Sequence, residues 1–167
     1  MINSLESINL DFKKSFHAIF QQPELIQPFL TKRSNKFDGI IKKEFIQREL
    51  ETDFALVALG GYGRKELFPS SDIDLSIIQL HSKTKKIEDI RDFIGWLWTL
   101  NVKVGHSVRT VKDIESITKS DLKEFTSYLS YRIIFCKKNK AVSLKSDLNK
   151  ISKKWNKTKF FKAKRLE

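Results

Sequence analysis

The stretch FALVALGGYGRKELFPSSDIDLSIIQL, residues 54 to 80, decides the fold. Its first part, FALVALG, is a short apolar run that ends in glycine and predicts a buried strand over 54 to 60. Its last part, DIDLSIIQL, begins with alternating acidic and apolar residues and predicts a second strand over 72 to 80. Three glycines in four positions and an arginine lie between them. The segment therefore predicts two strands joined through a glycine-rich turn.

The residues on both sides of this segment follow mainly helical spacing. Helices are predicted over 9 to 20, 23 to about 50, 84 to 98, about 121 to 135 and about 142 to 165. A break in the second helix near Asp38-Gly39 is left open. The stretch NVKVGHSVRT predicts a third strand over 101 to 110. The short segment RKELF, after the glycines, also predicts a helix. No internal repeat or Pro/Gly/Ser-rich linker is visible, so we expect an α+β fold in which helices flank a small mixed sheet.

The composition bounds the class of protein. The 167 residues are 40% hydrophobic and 31% charged, as in soluble globular domains. No apolar run reaches the roughly 18 residues of a membrane helix, and the first residues lack the pattern of a secretory signal. Cys136 is the only cysteine, which excludes an internal disulfide and favours the cytoplasm as the location. We interpret Cys136 as a small residue on a core face rather than a nucleophile.

The net charge of +12 is concentrated at the C-terminal end. Residues 137 to 167 hold 12 Lys and Arg against Asp147 and Glu167, whereas residues 1 to 136 hold 20 against 18 Asp and Glu. Lysine and asparagine are abundant along the whole chain, so the basic C-terminal stretch reflects a general bias in composition. We therefore favour a solvated basic helix over a nucleic-acid surface there. Neither nucleic acid nor a membrane is therefore an expected partner.

Asp72 and Asp74 are the first candidate site residues. Side chains two apart on a strand point to the same face, so the two carboxylates are expected to be neighbours. Such a pair repels unless a cation lies between its members, and a hard divalent ion such as Mg²⁺ prefers oxygen ligands. Taken alone, the pair is equally typical of a polar strand face.

The glycines and the arginine are the second group of candidates. Gly60 and Gly61 lack side chains, which lets backbone N–H groups approach an anion closely. Arg64 can hold a phosphate through its planar fork. A tight turn alone would explain the glycines, but a glycine turn, an arginine and paired carboxylates within one short segment together indicate a phosphate-and-metal site.

The pattern G-G-Y-G-R-x-E-L-x-P-x-S-D-I-D-L, residues 60 to 75, resembles the signature of the polymerase-β-type nucleotidyltransferase superfamily. More narrowly, it is similar to the N-terminal catalytic domain of the bacterial protein-PII uridylyltransferase/uridylyl-removing enzymes. A second block, VGHSVRT at 104 to 110, resembles the same family, as do the tryptophan-bearing helix before it and an expected LSYRIIF helix, 129 to 135, after it. The resemblance covers roughly residues 50 to 165. From these patterns we expect an N-terminal helical region (1–50), a nucleotidyltransferase core (51–136) and a basic helical segment (137–167).

The resemblance implies a reaction and assigns roles. UMP would pass from UTP to a tyrosine of PII, the nitrogen-regulatory protein, and pyrophosphate would leave. Asp72 and Asp74 would bind two Mg²⁺ ions, with Gly60, Gly61 and Ser71 along the triphosphate and Arg64 as its clamp. His106, Ser107 and Arg109 would lie near the site, whereas a histidine at a strand end is more often structural. Glu66 is expected only to cap or pair within the short helix.

Two positions depart from the family pattern. A third carboxylate usually follows on a later strand, but Lys103, between Val102 and Val104, occupies the matching position here. Either the register differs and another residue such as Asp113 supplies the group, or the site is slow or inactive. Lys65 stands where the family usually has a small residue, and we interpret it as a further cation facing phosphate.

Chain length is the other difference from the family. The complete enzymes continue with a hydrolase domain and ligand-sensing domains, whereas this sequence contains only three histidines and ends in KFFKAKRLE without a helix stop signal. A fragment, a truncated reading frame and a stand-alone remnant are the alternatives. Two other functions stay open: a catalytically impaired nucleotide-binding pseudoenzyme, or a nucleotidyltransferase that acts on another protein or on RNA through the basic C-terminal stretch.

Overall fold

The computed structural model describes residues 12, 14–16, 19–81 and 84–153. Half of the helix predicted over 9 to 20 falls outside this range, and within it residues 12, 14–16 and 19 are helical as predicted. The part of the last predicted helix beyond 153 also falls outside. Four strands form one sheet: β1 (Phe54–Ala58), β2 (Ile73–Gln79), β3 (Val104–Thr110) and β4 (Arg132–Phe135). Their order is β3-β2-β1-β4, in which β1 is antiparallel to both neighbours and β2 is parallel to β3. The predicted α+β class with a mixed sheet is confirmed.

Helices cover both faces of the sheet. The described α-helices are α1 (Pro23–Gln47), α2 (Gly60–Gly63), α3 (Ile87–Trp98), α4 (Val111–Ser120), α5 (Leu122–Leu129) and α6 (Lys138–Ser152), and a 3-10 helix spans Leu50–Thr52. Helices α1 and α3 pack with one set of strand side chains around Leu56 and Ile77. Helices α4, α5 and α6 pack with the opposite set around Val57 and Ile78. Each strand of the central pair therefore contributes to two separate hydrophobic clusters.

Helix α1 runs without a break through Asp38 and Gly39. Phe37, Ile41 and Phe45, one helical turn apart, are fully buried against the sheet. Burying three such side chains contributes about 1.5–3 kcal/mol each, which exceeds the roughly 1 kcal/mol that a glycine costs inside a helix. Tertiary packing thus keeps the helix continuous.

The helix predicted over about 121 to 135 is wrong in its second half, the stretch LSYRIIF at 129 to 135. Helix α5 ends at Leu129, and Arg132–Phe135 form strand β4, which pairs with β1 from Ala58 to Leu56. Two β-branched residues and an aromatic residue in succession suit a strand better than a helix. Sequence reasoning also missed α4, although Thr110 and Asp113 form a reciprocal capping box at its start.

The short helix lies over the glycines rather than over RKELF. Helix α2 comprises Gly60–Gly63, and the chain leaves it through Lys65, whose φ of 61° is left-handed. A left-handed residue ends a right-handed helix, so Glu66 to Phe68 continue as a loop toward β2. The third strand also begins later than predicted, at Val104.

Candidate active site

Asp72 immediately precedes β2 and Asp74 is its second residue. Both side chains are exposed. The backbone N–H of Leu59, at the end of β1, donates to the carbonyl of Asp74 at 3.0 Å. The two strands therefore bring the glycine turn directly beside the acidic pair.

A pocket of about 450 Å³ opens at Asp74. Its other walls come from the end of β1, from Gly105 and Ser107 of β3, and from Lys123 and Ser127 of α5. This volume lies within the range of about 300–1,000 Å³ that is usual for small-ligand sites. The predicted acidic residue thus lies in a cavity large enough for a small ligand.

The ionised form of Asp74 is partly destabilised by its surroundings. Partial desolvation in the pocket raises the pKa of Asp74 above its ordinary value, and the negative charge of Asp72 raises it further, while Lys123 acts in the opposite direction. The two carboxylates are therefore close enough to repel each other. A cation between them would relieve that repulsion.

Two glycines make room for the carboxylate of Asp74. Gly105 is its partner in the parallel β2–β3 register, and a Cβ at Gly105 would lie 2.6 Å from Oδ1 of Asp74. A Cβ at Gly60 would lie 3.5 Å from Oδ2, and Gly60 also has a left-handed φ of 53°. Asp74 thus lies between two backbone segments without side chains. Sequence reasoning named Gly60 but missed Gly105.

The glycine turn presents backbone donors. In the described part of the chain, no group accepts a hydrogen bond from the N–H of Gly60 or Gly61. Gly63 has a different role, because a Cβ there would lie 1.8 Å from the carbonyl oxygen of Ser130. The first two glycines therefore leave N–H groups available, whereas Gly63 allows close packing.

Arg64 lies beside this turn, but its guanidinium already donates hydrogen bonds to two protein side chains. Its Nε donates to Glu66 at 2.7 Å, and Nη1 donates to the Ser130 hydroxyl at 3.4 Å. Nη2 lies 4.0 Å from where a Cβ of Gly61 would stand. Because half of the Arg64 side chain is exposed, its pair with Glu66 contributes little to stability and can be exchanged for another anion.

Tyr62 fixes the turn to helix α1. Its hydroxyl donates to Oδ1 of Asp38 at 2.6 Å. Arg132 of β4 donates to both oxygens of Asp38, at 2.6 and 3.1 Å, and to the carbonyls of Tyr62 and Gly63, at 3.1 and 3.2 Å. The turn is therefore held from two sides by a mostly buried ion pair.

Arg33 of α1 holds the loop that leads to the acidic pair. Its side chain is 1% exposed, and its guanidinium donates to the carbonyls of Leu67, at 3.0 Å, of Phe68, and of Pro69, at 3.3 Å. Burial lowers the pKa of Arg33 to about 10, so it stays charged at neutral pH. Sequence reasoning missed both Arg33 and the Asp38–Arg132 pair.

The position of Lys103 beside β2 agrees with the strand register expected from the sequence. Its carbonyl accepts from the N–H of Ile73 at 2.8 Å, so the ladder extends to it. By strand alternation its side chain lies on the face of Gly105 and Asp74. It is exposed and makes no hydrogen bond or ion pair with the residues the structure describes. A lysine thus takes the place predicted for a third carboxylate.

Asp113 does not supply the missing group. It lies beyond the far end of β3, where its carboxylate accepts from the N–H and hydroxyl of Thr110 at 2.9 and 2.7 Å. These hydrogen bonds from Thr110 lower the pKa of Asp113. The alternative that Asp113 completes the site is therefore wrong.

The three residues from the second block face different ways. The ring of His106 lies 5.7 Å from that of Trp98, on the opposite face of the sheet from Asp74. Ser107 shares the aspartate face, on which the buried hydroxyl of Tyr128 is hydrogen-bonded to Ser76 at 2.8 Å. Arg109, on the same face, is committed to Glu124 by two bonds of 2.6 and 3.1 Å, which raise its pKa. Of the three, His106 and Ser107 line the pocket, and Arg109 does not.

Three further residues complete the site's surroundings. Ser71 is half-buried next to Asp72, and its N–H donates to the carbonyl of Phe68 at 3.0 Å. Nζ of Lys65 donates to Asn35 of α1 at 2.9 Å, so it is directed away from the phosphate side predicted for it. Lys123, which sequence reasoning missed, is the cation whose charge acts on Asp74.

Comparison with known proteins identifies the class of the chain. No protein-family model matches it. It is 36% identical over 156 residues to the bifunctional uridylyltransferase/uridylyl-removing enzyme of Cupriavidus metallidurans. That alignment covers 93% of this chain and 18% of the relative. The enzymes of the same name from Pseudoalteromonas translucida and Hydrogenovibrio crunogenus are 35% and 32% identical, over 92% and 98% of this chain.

These relatives place the chain in a transferase family. More narrowly, it is a uridylyltransferase-related domain, and the resemblance predicted from its motifs is confirmed. The chain spans about a fifth of the length of the curated relatives it matches. None of the helices in the described ranges is long and apolar enough to cross a membrane.

Proposed function

We propose that this domain transfers UMP from UTP to a tyrosine hydroxyl of the PII signalling protein, with Mg²⁺ bound at Asp72 and Asp74. The observation that carries the proposal is the position of Asp74. Its carboxylate lies between Gly60 and Gly105, beside a second carboxylate and at the mouth of the pocket. The names of the relatives support the uridylyl group and the class of reaction.

The donor set suits Mg²⁺ that arrives with a nucleotide. Within the described ranges, no group of three or more His, Cys, Asp or Glu side chains forms a complete metal site. Mg²⁺ in nucleotide sites commonly uses one or two carboxylates and takes its other ligands from phosphates and water. Two carboxylates that repel each other fit that requirement, and the ions would neutralise charge on the phosphates when bound.

The remaining residues would bind and orient the nucleotide. The N–H groups of Gly60 and Gly61 would donate to phosphate oxygens, and Arg64 would exchange Glu66 for the triphosphate. Ser71 and Lys123 would add a hydroxyl donor and a positive charge. In the transfer, the tyrosine oxygen loses its proton to solvent and bonds to the α-phosphorus, and the bond from that phosphorus to the bridging oxygen breaks to release pyrophosphate.

The test measures UMP incorporation into PII and release of pyrophosphate, with Mg²⁺ and UTP. Asp72→Asn is expected to reduce both to background, because it removes a charged metal ligand. Asp92→Asn, on the exposed side of α3, removes the same charge away from the pocket and should keep wild-type activity. Equal activity of wild type and Asp72→Asn would overturn the proposal.

Lys103 favours a second candidate, a nucleotide-binding domain without transfer. A lysine on the aspartate face supplies a positive charge where the family pattern has a carboxylate. If that charge blocks turnover, wild type binds Mg²⁺ and UTP without transferring UMP, and Lys103→Glu gains transfer. Lys103→Gln separates loss of the lysine charge from gain of a carboxylate. If neither variant exceeds an active wild type, Lys103 does not impair the site.

A further inference from the structure

The two edges of the sheet are built differently. Strand β4, at one edge, has four residues and a register shift opposite Leu56 and Val57. Strand β3, at the other edge, pairs with β2 over seven consecutive residues without a shift. Short length and bulges are devices that keep an edge from pairing with another chain. Only the β4 edge carries them.

The backbone groups on the open side of β3 can be identified. The bond from Ile73 N–H to the Lys103 carbonyl sets the phase of the parallel ladder, so Gly105, Ser107 and Arg109 bond inward to β2. Val104, His106 and Val108 then direct their N–H and C=O groups outward. Among the residues described, none of these outward groups has a hydrogen-bond partner.

The side chains along this edge leave it accessible. Gly105, His106 and Val108 are exposed, and β3 contains neither proline nor lysine. Its one charged side chain, Arg109, is turned inward to Glu124. Lys103, just before β3, is exposed at the start of this edge. Within the seven residues of β3 itself no lysine or carboxylate protects the edge, so β3 is a ready template for an added strand.

The same edge borders the candidate active site. Gly105, His106 and Ser107 of β3 help to line the pocket that contains Asp74. Strands lie about 4.8 Å apart, so an added strand would run about 10 Å from β2. Every second side chain of that strand would lie on the aspartate face. There, Gly105 has no side chain to block a long residue from reaching Asp74.

We propose that the open edge of β3 binds the acceptor as an added strand and so delivers its tyrosine hydroxyl over Gly105 to the pocket. This inference rests on the proposed function for the identity of the acceptor. The partner it fits is an extended segment with a tyrosine in its middle, held by backbone hydrogen bonds to His106 and Val108.

The test compares two substitutions and follows amide exchange. Val108→Pro removes an outward N–H while leaving the β2 ladder intact, and Val108→Ala trims the same side chain but keeps the N–H. Val108→Pro should weaken PII binding about tenfold and Val108→Ala about twofold or less, because one backbone hydrogen bond is lost. Mg²⁺-dependent UTP binding should not change in either variant.

Amide exchange measured by NMR gives an answer that does not depend on folding of the proline variant. The His106 and Val108 amides of wild type should exchange fast alone and at least about tenfold more slowly with saturating PII, whereas the inward Ser107 amide stays protected throughout. Protection without PII would show that the chain itself covers the edge. Protection that grows with concentration of the chain alone would indicate a second copy. Either result, or unchanged exchange with PII, overturns the inference.

The proposed function can fail separately. Edge protection by PII without UMP transfer would support the docking and count against the transferase alone, because amide exchange requires no turnover. Transfer with wild-type acceptor affinity in a folded Val108→Pro variant would count against the docking alone.

Discussion

Gly105→Ala offers the sharpest test of the candidate site. The substitution adds one methyl group on β3, at a point where its carbon would lie 2.6 Å from Oδ1 of Asp74. Real Cβ atoms essentially never approach closer than 3.0 Å, and ordinary contact begins at 3.4 Å. The carboxylate must therefore move by about 0.4–0.8 Å, a range set by these distances.

This displacement should affect catalysis and leave stability nearly unchanged. The atom that must move is the end of a flexible, exposed side chain, and alanine suits a strand at least as well as glycine does. We therefore expect the free energy of unfolding to stay within about 1 kcal/mol of wild type. A metal ligand misplaced by up to about 1 Å can cost about 100-fold in rate, so UMP transfer should fall about 10- to 100-fold.

The assay pairs urea unfolding with UMP transfer and Mg²⁺-dependent UTP binding. Gly95→Ala in α3 is the matched control, because a Cβ there meets nothing within 4 Å. It should add about 0.5–1 kcal/mol of stability through helix propensity and keep full activity. If Gly105→Ala transfers UMP within threefold of wild type, the assignment of Asp74 as a ligand held by its glycine neighbours is refuted.

Three more predictions concern the surroundings of the site and are tested by urea unfolding. Gly63→Ala places its Cβ 1.8 Å from a backbone carbonyl oxygen and should lower the free energy of unfolding by at least about 3 kcal/mol. Its control, Gly39→Ala, meets open space in α1 and should raise the free energy of unfolding by about 0.5–1 kcal/mol. Lys65→Gly relieves a left-handed φ of 61° and should exceed Lys65→Ala in stability by about 1 kcal/mol; equal values would show that the backbone is not strained. Alanine substitutions of Asp38 and Arg132 should give a coupling of about 1–3 kcal/mol in a double-mutant cycle, and a coupling near zero would contradict the role assigned to this pair.

Local patterns were sufficient to predict the centre of the fold. Strands β1 and β2 and the turn between them follow from a short apolar run, an alternating run and clustered glycines, all within 54 to 80. The continuity of α1 did not follow, because only burial of Phe37 and Phe45 outweighs the glycine at 39. Strand β4 was missed because its pairing partner, β1, lies far away in the sequence.

Only the part of the candidate site that lies in one contiguous motif could be predicted from the sequence, for a related reason. Asp72, Asp74 and Gly60 belong to one contiguous motif, whereas Gly105, Lys123 and Arg33 reach the site only through tertiary structure. One signal in the sequence could have marked two of the missed positions. Lysine greatly outnumbers arginine in this chain, so Arg33 and Arg132 stand out as positions where a planar fork is needed.

Helix α1 carries both side chains that brace the site, Arg33 for the loop before Asp72 and Asp38 for the glycine turn. A transplanted segment of residues 51 to 136 would keep every motif quoted from the sequence, yet it would lose these two braces and the helix that covers one face of the sheet. The portable unit of this site must therefore begin no later than helix α1, at residue 23. Anyone who grafts it onto another scaffold, or searches for it in other chains, must include a helix that contains no catalytic motif at all.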